Sequence, residues 1–288
     1  MEIWAILNVT PDSFSDGGRY LALDAALARA KVMLAEGADV IDVGGASSRP
    51  RGAAYGAGAE EVSTEVEIAR VVPVVEILAR ELGARVSIDT TRGATAEAAL
   101  AAGATVVNDV SMGRDPSLLA AVAAHRAELV LMHTRGDGAV TPENTTYDDV
   151  VRDVLTELEL ACEKARVSGI EADRLWVDPG LGFAKTTDQS ALLLAHTPAL
   201  LGLGARVLVG ASRKAFLGAL AEHGGVRPGP EARLAASLVA ATVAARGGAH
   251  AVRVHDVAET RQALDVLRAL EMSTGVASGG TPGGIRHA

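Results

Sequence analysis

Short apolar runs recur along the chain, each ending in a polar or glycine-rich turn before a longer stretch with helical spacing. The first of them, around Ile6-Leu7, ends in Asn8 and breaks into a loop of Thr, Pro, Asp, Ser and paired glycines. A strand that delivers a polar loop is a usual carrier of binding groups. Repetition of the pattern predicts strands at 2–8, 40–44, 85–89, 105–109, 128–133, 174–178, 206–210 and 251–255. Helical spacing is predicted at 24–36, 64–82, 94–102, 116–124, 147–166, 189–200, 231–246 and 257–271. Gly37, Gly83, Gly103 and Gly169 follow helical stretches, where a left-handed capping residue is expected.

Strands separated by helices imply parallel pairing, because parallel neighbours need a crossover connection. The strands are nearly continuous apolar runs, as suits a sheet covered on both faces. Eight such units favour a single-domain α/β fold, a (β/α)8 TIM barrel over residues 1–271. An open doubly wound sheet is the alternative, but Gly44-Gly45 is a poor fingerprint for a dinucleotide. Residues 51–61, rich in Gly and Ala, are expected to form a mobile excursion after the second strand. The tail 272–288, rich in Gly, Ser and Thr, is expected to be disordered.

Composition narrows the function. The net charge of −9, with no long basic run, argues against nucleic acid as a partner. Aromatic residues make up 3%, too few for a base-stacking surface. The single cysteine, Cys162, lies within a helical pattern and reads as a buried, inert thiol. Neither a secretory signal nor an apolar run of roughly 18 residues is visible, so a cytoplasmic protein without a membrane partner is expected.

Polar residues collect at the strand ends, where a barrel carries its active site. In order they are Asn8, Asp42, Asp89, Asn108, His133, Asp178, Ser212 and His255. Any one of them could be a turn or cap residue; a complete ring points to a site. Strand alternation puts Arg253 and His255 on one face, and likewise Ser87 with Asp89 and Ile6 with Asn8. The carboxylates of Asp89 and Asp178 and the amide of Asn108 suit a flat heterocycle with adjacent N–H donors. Arg253, His255, Arg213 and Lys214 suit an anion such as phosphate or pyrophosphate. Asn8 supplies one neutral oxygen, consistent with Mg2+ that takes most ligands from water and phosphates. No zinc motif is present. Ser212 is not in a Gly-x-Ser-x-Gly elbow, so it reads as a hydrogen-bond donor or a helix cap rather than a nucleophile.

The motifs together resemble the dihydropteroate synthases. They are ILNVTPDSFSDGG from Ile6, DVGGASSRP from Asp42, SIDT from Ser87, NDVS from Asn108, DPGLGFAKT from Asp178, GASRK from Gly210 and RVHDV from Arg253. The resemblance implies a (β/α)8 barrel, a homodimer, and condensation of a dihydropterin diphosphate with p-aminobenzoate. It implies that Asp89, Asn108, Asp178 and Lys214 recognise the pterin, while Asn8, Arg253 and His255 hold Mg2+ and pyrophosphate. It implies that Phe14 and Asp16, with Ser48, Arg49 and Pro50, sit on mobile loops that complete the p-aminobenzoate pocket. Phe183 and Ser212 resemble that pocket's fixed wall.

The second loop departs from the family's usual GGESTRPG: Ala46 stands where an acidic residue is common, and the Gly/Ala stretch after it is longer. Two rival readings share the pterin pattern. One is a methyltransferase passing a methyl group from methyltetrahydrofolate to a corrinoid, which has no need of the SRK and RVHDV cations. The other is a silent paralogue that binds pterin without turnover.

Overall fold

The structure, a computed structural model, describes residues 1–9, 19–46 and 62–273. The sequence excursion at 51–61 and residues 274–288 of the expected tail lie outside them. Eight parallel strands close into a barrel in sequence order: β1 (Glu2–Asn8), β2 (Val40–Gly44), β3 (Val86–Asp89), β4 (Val106–Asp109), β5 (Glu128–Met132), β6 (Leu175–Asp178), β7 (Arg206–Val209) and β8 (Ala251–Val254). The open doubly wound sheet is therefore excluded. Every predicted strand is present, shortened by at most one residue at an end.

The helices surround the barrel: α1 (Arg19–Ala35), α2 (Thr64–Arg80), α3 (Gly93–Ala102), α4 (Pro116–His125), α5 (Pro142–Thr145), α6 (Val150–Val167), α7 (Thr187–Ala195), α8 (Thr197–Leu200), α9 (Ala215–Leu220), α10 (Leu234–Arg246) and α11 (Val257–Ser273). The short α5 and α9 were not predicted. The predicted helix 189–200 is two helices, and Pro198 explains the break. Proline has no N–H to give the carbonyl four residues back. The Thr197 hydroxyl donates to that Leu194 carbonyl instead, at 2.7 Å. Helix α11 runs two residues past its predicted end. Gly37, Gly83, Gly103 and Gly169 all have positive φ, as the cap reading requires.

Alternation divides each strand between two cores. Outward residues such as Ile41, Val43, Ile88, Leu129, Leu131, Val177 and Val207 pack with the helices in one large buried shell. Inward residues Trp4, Val40, Val106, Val130, Trp176, Leu208 and Ala251 form a separate cluster inside the barrel. The strand register sorts the interior into layers drawn from alternate strands. Val40, Val106, Trp176 and Ala251 make one layer; Trp4, Ser87, Val130 and Leu208 make the next. Below them Arg85 joins Glu2 and Glu128 at 3.0 and 2.7 Å, and Arg206 reaches Glu128 at 3.2 Å. This charged plug closes the amino-terminal end.

The layer above the apolar pair is different in kind. It consists of Asp42, Asn108, Asp178 and Arg253, and above it come Ile6, Asp89, Met132 and Gly210. Hydrocarbon gives way to charge within one step of the alternation. The two polar layers rest on the apolar cluster beneath them, so their charged groups lie toward the carboxyl-terminal mouth.

Helices α3 and α4 meet at Gly93. A Cβ there would lie 2.0 Å from Ser117 Oγ and 2.7 Å from the Leu118 backbone nitrogen. Gly93→Ala is expected to destabilise the fold by about 1–3 kcal/mol through this overpacking. Denaturant unfolding checks it; an unchanged midpoint would contradict the packing.

Candidate active site

Arg253 organises the mouth. Its Nε donates to Asp42 Oδ2 at 2.6 Å and its Nη2 to Asp89 Oδ2 at 2.8 Å. Asn108 Nδ2 donates to the same Asp42 oxygen at 3.2 Å. One arginine thereby ties β8 to β2 and β3, and Asp42 adds β4. Asp42 is fully enclosed, and its Oδ1 has no hydrogen-bond partner among the described residues; the same holds for Ser87 Oγ in the layer beneath.

Across the barrel, Asp178 Oδ1 accepts the Gly180 N–H at 2.7 Å. Lys214 Nζ donates to the Leu181 carbonyl at 2.6 Å and lies 4.8 Å from the centre of the Phe183 ring. Two glycines leave room between these groups. A Cβ on Gly210 would lie 3.4 Å from Asp178 Oδ2, 3.8 Å from Arg253 Cβ and 3.9 Å from Lys214 Nζ. One on Gly44 would lie 3.5 Å from Asn8 Oδ1 and 3.8 Å from Asp89 Oδ2. Asn8 itself is exposed at the rim.

His255 is held by Ser212. The His255 backbone N–H donates to Ser212 Oγ at 3.2 Å, and His255 Nδ1 lies 3.0 Å from that oxygen. A hydroxyl that already accepts there is set to give its own proton to Nδ1, which places the imidazole proton on Nε2. Ser212 acts on His255, and the helix-cap reading is set aside: Lys214, not Ser212, precedes α9.

Burial shifts these groups away from their usual ranges. Asp89 is pushed up to about 7 by burial, against the pull of Arg253, with Asp42 adding repulsion. Burial also raises Asp178, opposed by Lys214, the Gly180 N–H, Arg253 and Lys185. Lys214 is brought down to about 8 by burial, partly offset by Asp178. For Arg253 burial works toward a lower value, but Asp42 and Asp89 outweigh it and the guanidinium stays charged.

Two expectations are corrected. His133 does not stand at the mouth. Strand β5 points Val130 and Met132 inward, so the next residue turns outward, and His133 is buried against α6 with Nε2 at 3.0 Å from Glu157 Oε2. Arg213 does not face an anion site. Its backbone is left-handed, with φ of 57°. Its side chain turns away to Asp256 at 3.0 Å and Glu231 at 2.5 Å. The sequence reading also missed Lys185, which is buried beside Asp178. A lysine inside the apolar run of DPGLGFAKT was the available signal. Phe14, Asp16, Ser48, Arg49 and Pro50 lie outside the described residues.

Asn8 was the residue expected to hold a metal. Among the described residues no group of three or more His, Cys, Asp or Glu could hold an ion. One exposed amide oxygen at the rim suits only an ion that arrives with ligands of its own, as Mg2+ does on a diphosphate.

Residues 4–255 match the family of pterin binding enzymes. The chain is 46% identical over 273 residues to the dihydropteroate synthase of Mycobacterium leprae, covering 93% of each. It also resembles two solved structures of the Xanthomonas albilineans dihydropteroate synthase. The one with 4-aminobenzoic acid has a TM-score of 0.83 at 43% identity, covering 94% of this chain and 93% of that one. The one with 7,8-dihydropteroate has a TM-score of 0.80 at 41% identity, with the same coverage.

The geometry makes Asp89 a titrating group near neutrality. Carboxyl-carbon NMR is expected to show a midpoint of about 7 for Asp89. Arg253→Met should move that midpoint upward, because it removes the cation that favours the ionised form. A midpoint in the ordinary carboxylate range would contradict a burial cost that outweighs the pull of Arg253.

Proposed function

The chain belongs to the pterin binding enzymes and, among them, to the dihydropteroate synthases; from that premise we propose how its barrel mouth divides the work of the reaction. The reaction joins 6-hydroxymethyl-7,8-dihydropterin diphosphate to p-aminobenzoate, giving 7,8-dihydropteroate and pyrophosphate in folate biosynthesis. The curated relatives weigh against the corrinoid methyltransferase reading.

The observation that carries the assignment is the meeting of two chemistries on one rim. Asp89, Asn108 and Asp178 offer acceptors for the N–H groups of a pterin edge. Lys214, brought toward neutrality by burial, donates to a ring acceptor. Arg253 has five N–H donors, of which two are committed to Asp42 and Asp89, leaving three for an anion. His255, with its proton directed to Nε2, adds a donor to the same anion.

The bond that breaks joins the pterin methylene carbon to the diphosphate oxygen, and its electron pair leaves with pyrophosphate. The electron-rich dihydropterin stabilises the methylene cation, so the path is SN1-like. The aniline nitrogen then supplies the pair for the new C–N bond and loses its proton to solvent. No activated nucleophile is required. Arg253 and His255 act where negative charge grows on the leaving oxygen. Asn8 would hold Mg2+ at the rim, and that ion would supply charge neutralisation to the diphosphate. Phe14, Asp16, Ser48, Arg49, Pro50 and Phe183 are proposed to complete the p-aminobenzoate pocket, on the strength of the family motifs.

We extend the proposal to assembly and location. A homodimer is supported by the resemblance and by exposed apolar residues on neighbouring helices, Leu192 on α7 with Val239 and Val243 on α10. No helix among the described residues is long and apolar enough to cross a membrane, and a cytoplasmic site is proposed.

Pyrophosphate release with and without p-aminobenzoate tests the pocket. Asp178→Ala or Lys214→Ala is expected to abolish pteroate formation, and near-normal turnover in either would sink the assignment. Asn8→Ala should raise the KM for the pterin diphosphate about tenfold, whereas Phe14→Ala should mainly raise that for p-aminobenzoate. The reverse pattern would overturn this division.

A further inference from the structure

Lys185 is 2% exposed, and a lysine ammonium is rarely enclosed without dedicated partners. Its three N–H donors meet three acceptors: His133 Nδ1 at 2.8 Å, the Phe183 carbonyl at 3.0 Å and the His133 carbonyl at 3.4 Å. An Nδ1 that accepts this bond leaves the His133 proton on Nε2, which points at Glu157 Oε2. Burial brings the His133 pKa down to about 4, so the ring is neutral and can accept. Glu157 in turn accepts from Arg135 Nε at 3.0 Å. The direction of every bond from Arg135 to Lys185 is therefore fixed.

The backbone around Lys185 is shaped for this contact. Ala184 has φ of 48°, a left-handed conformation that residues with a Cβ rarely adopt. Two bonds hold it there: its N–H donates to the Gly138 carbonyl at 2.7 Å, and its carbonyl accepts from the Tyr147 hydroxyl at 3.0 Å. A Cβ on Gly180 would fall 1.9 Å from the His133 carbonyl oxygen and 3.4 Å from Lys185 Nζ. The loop thus lies directly over the ammonium. That loop supplies the Gly180 N–H to Asp178 and the Leu181 carbonyl to Lys214.

We propose that Lys185 is a positioning residue for the pterin pocket, its ammonium pinning the loop after β6 to His133 so that Asp178 and Lys214 are aimed into the mouth. The inference rests on the reading of Asp178 and Lys214 as pterin contacts. Lys185 never touches substrate; it acts through the loop and through its charge. Lys185, Lys214, Arg253 and the Gly180 N–H all favour ionised Asp178. Burial holds Lys185 well below the usual lysine range, with Lys214 and Arg135 adding to it, while Asp178 and Glu157 pull the other way. The three acceptors around Nζ are what the charged form satisfies.

The test is Lys185→Met, which keeps length and loses the charge and three donors. The KM for the pterin diphosphate is expected to rise about tenfold, as a loosened site should show. The Asp178 carboxyl-carbon titration should move to higher pH, because the Gly180 N–H that the pinned loop supplies and the Lys185 charge both favour the ionised form. A wild-type KM and an unmoved Asp178 midpoint would overturn the proposal. Nitrogen NMR of the unaltered protein decides the matter even if the variant fails to fold. The His133 proton is expected on Nε2, and a proton on Nδ1 would overturn the proposed direction of the chain. If Asp178→Ala keeps turnover, the pocket assignment fails. If it is inactive while Lys185→Met matches wild type, only this inference fails.

Discussion

Arg253 lies between two carboxylates, Asp42 and Asp89, above the largely apolar layers at the middle of the barrel. None of the three could remain charged there alone. Removing one partner of a buried ion pair costs about 3–5 kcal/mol, since the survivor keeps its desolvation penalty. The triad is therefore a joint that spans three strands. It fixes where the Asp89 carboxylate points, and through the shared Asp42 oxygen it also fixes the Asn108 amide. Recognition groups for a heterocycle and donors for an anion are thus parts of a single network.

The opposite wall follows the same logic with different parts. Asp178 and Lys214 are held by backbone groups of one loop, and that loop is held by a buried lysine. Glycine at 44 and 210 opens the space the charged groups share. Such a pocket is arranged before substrate arrives, so little reorganisation is left for the moment when charge develops. Burial also moves Asp89 and Lys214 toward neutrality from opposite sides, to about 7 and about 8. Recognition near physiological pH then depends on the network that keeps each in its working form.

Much of this was legible in the chain. Nearly continuous apolar runs marked all eight strands, because a sheet covered on both faces leaves no polar positions within it. Polar residues at the ends of those runs marked the mouth, and strand alternation turned Arg253 inward, where it meets Asp42 and Asp89. What escaped depended on single residues. His133 follows the last strand residue, so one step of alternation turned it outward. Arg213 neighbours Lys214 in sequence, yet its positive φ sends the two side chains apart. Asp42 looked like a turn former beside two glycines and is the most deeply buried acid of the mouth. Lys185 went unremarked, because no local pattern announces three acceptors gathered around one ammonium.

The central claim is that the buried triad, and not the rim alone, sets pterin affinity. Calorimetric titration of a 6-hydroxymethylpterin, lacking the diphosphate, into the wild type and Asp42→Asn tests it directly. Asparagine keeps the shape at that position and removes the charge that Arg253 requires. The account predicts binding weaker by about tenfold or more in the variant, the size expected for losing a charged hydrogen bond. Equal affinity in the two proteins would contradict it.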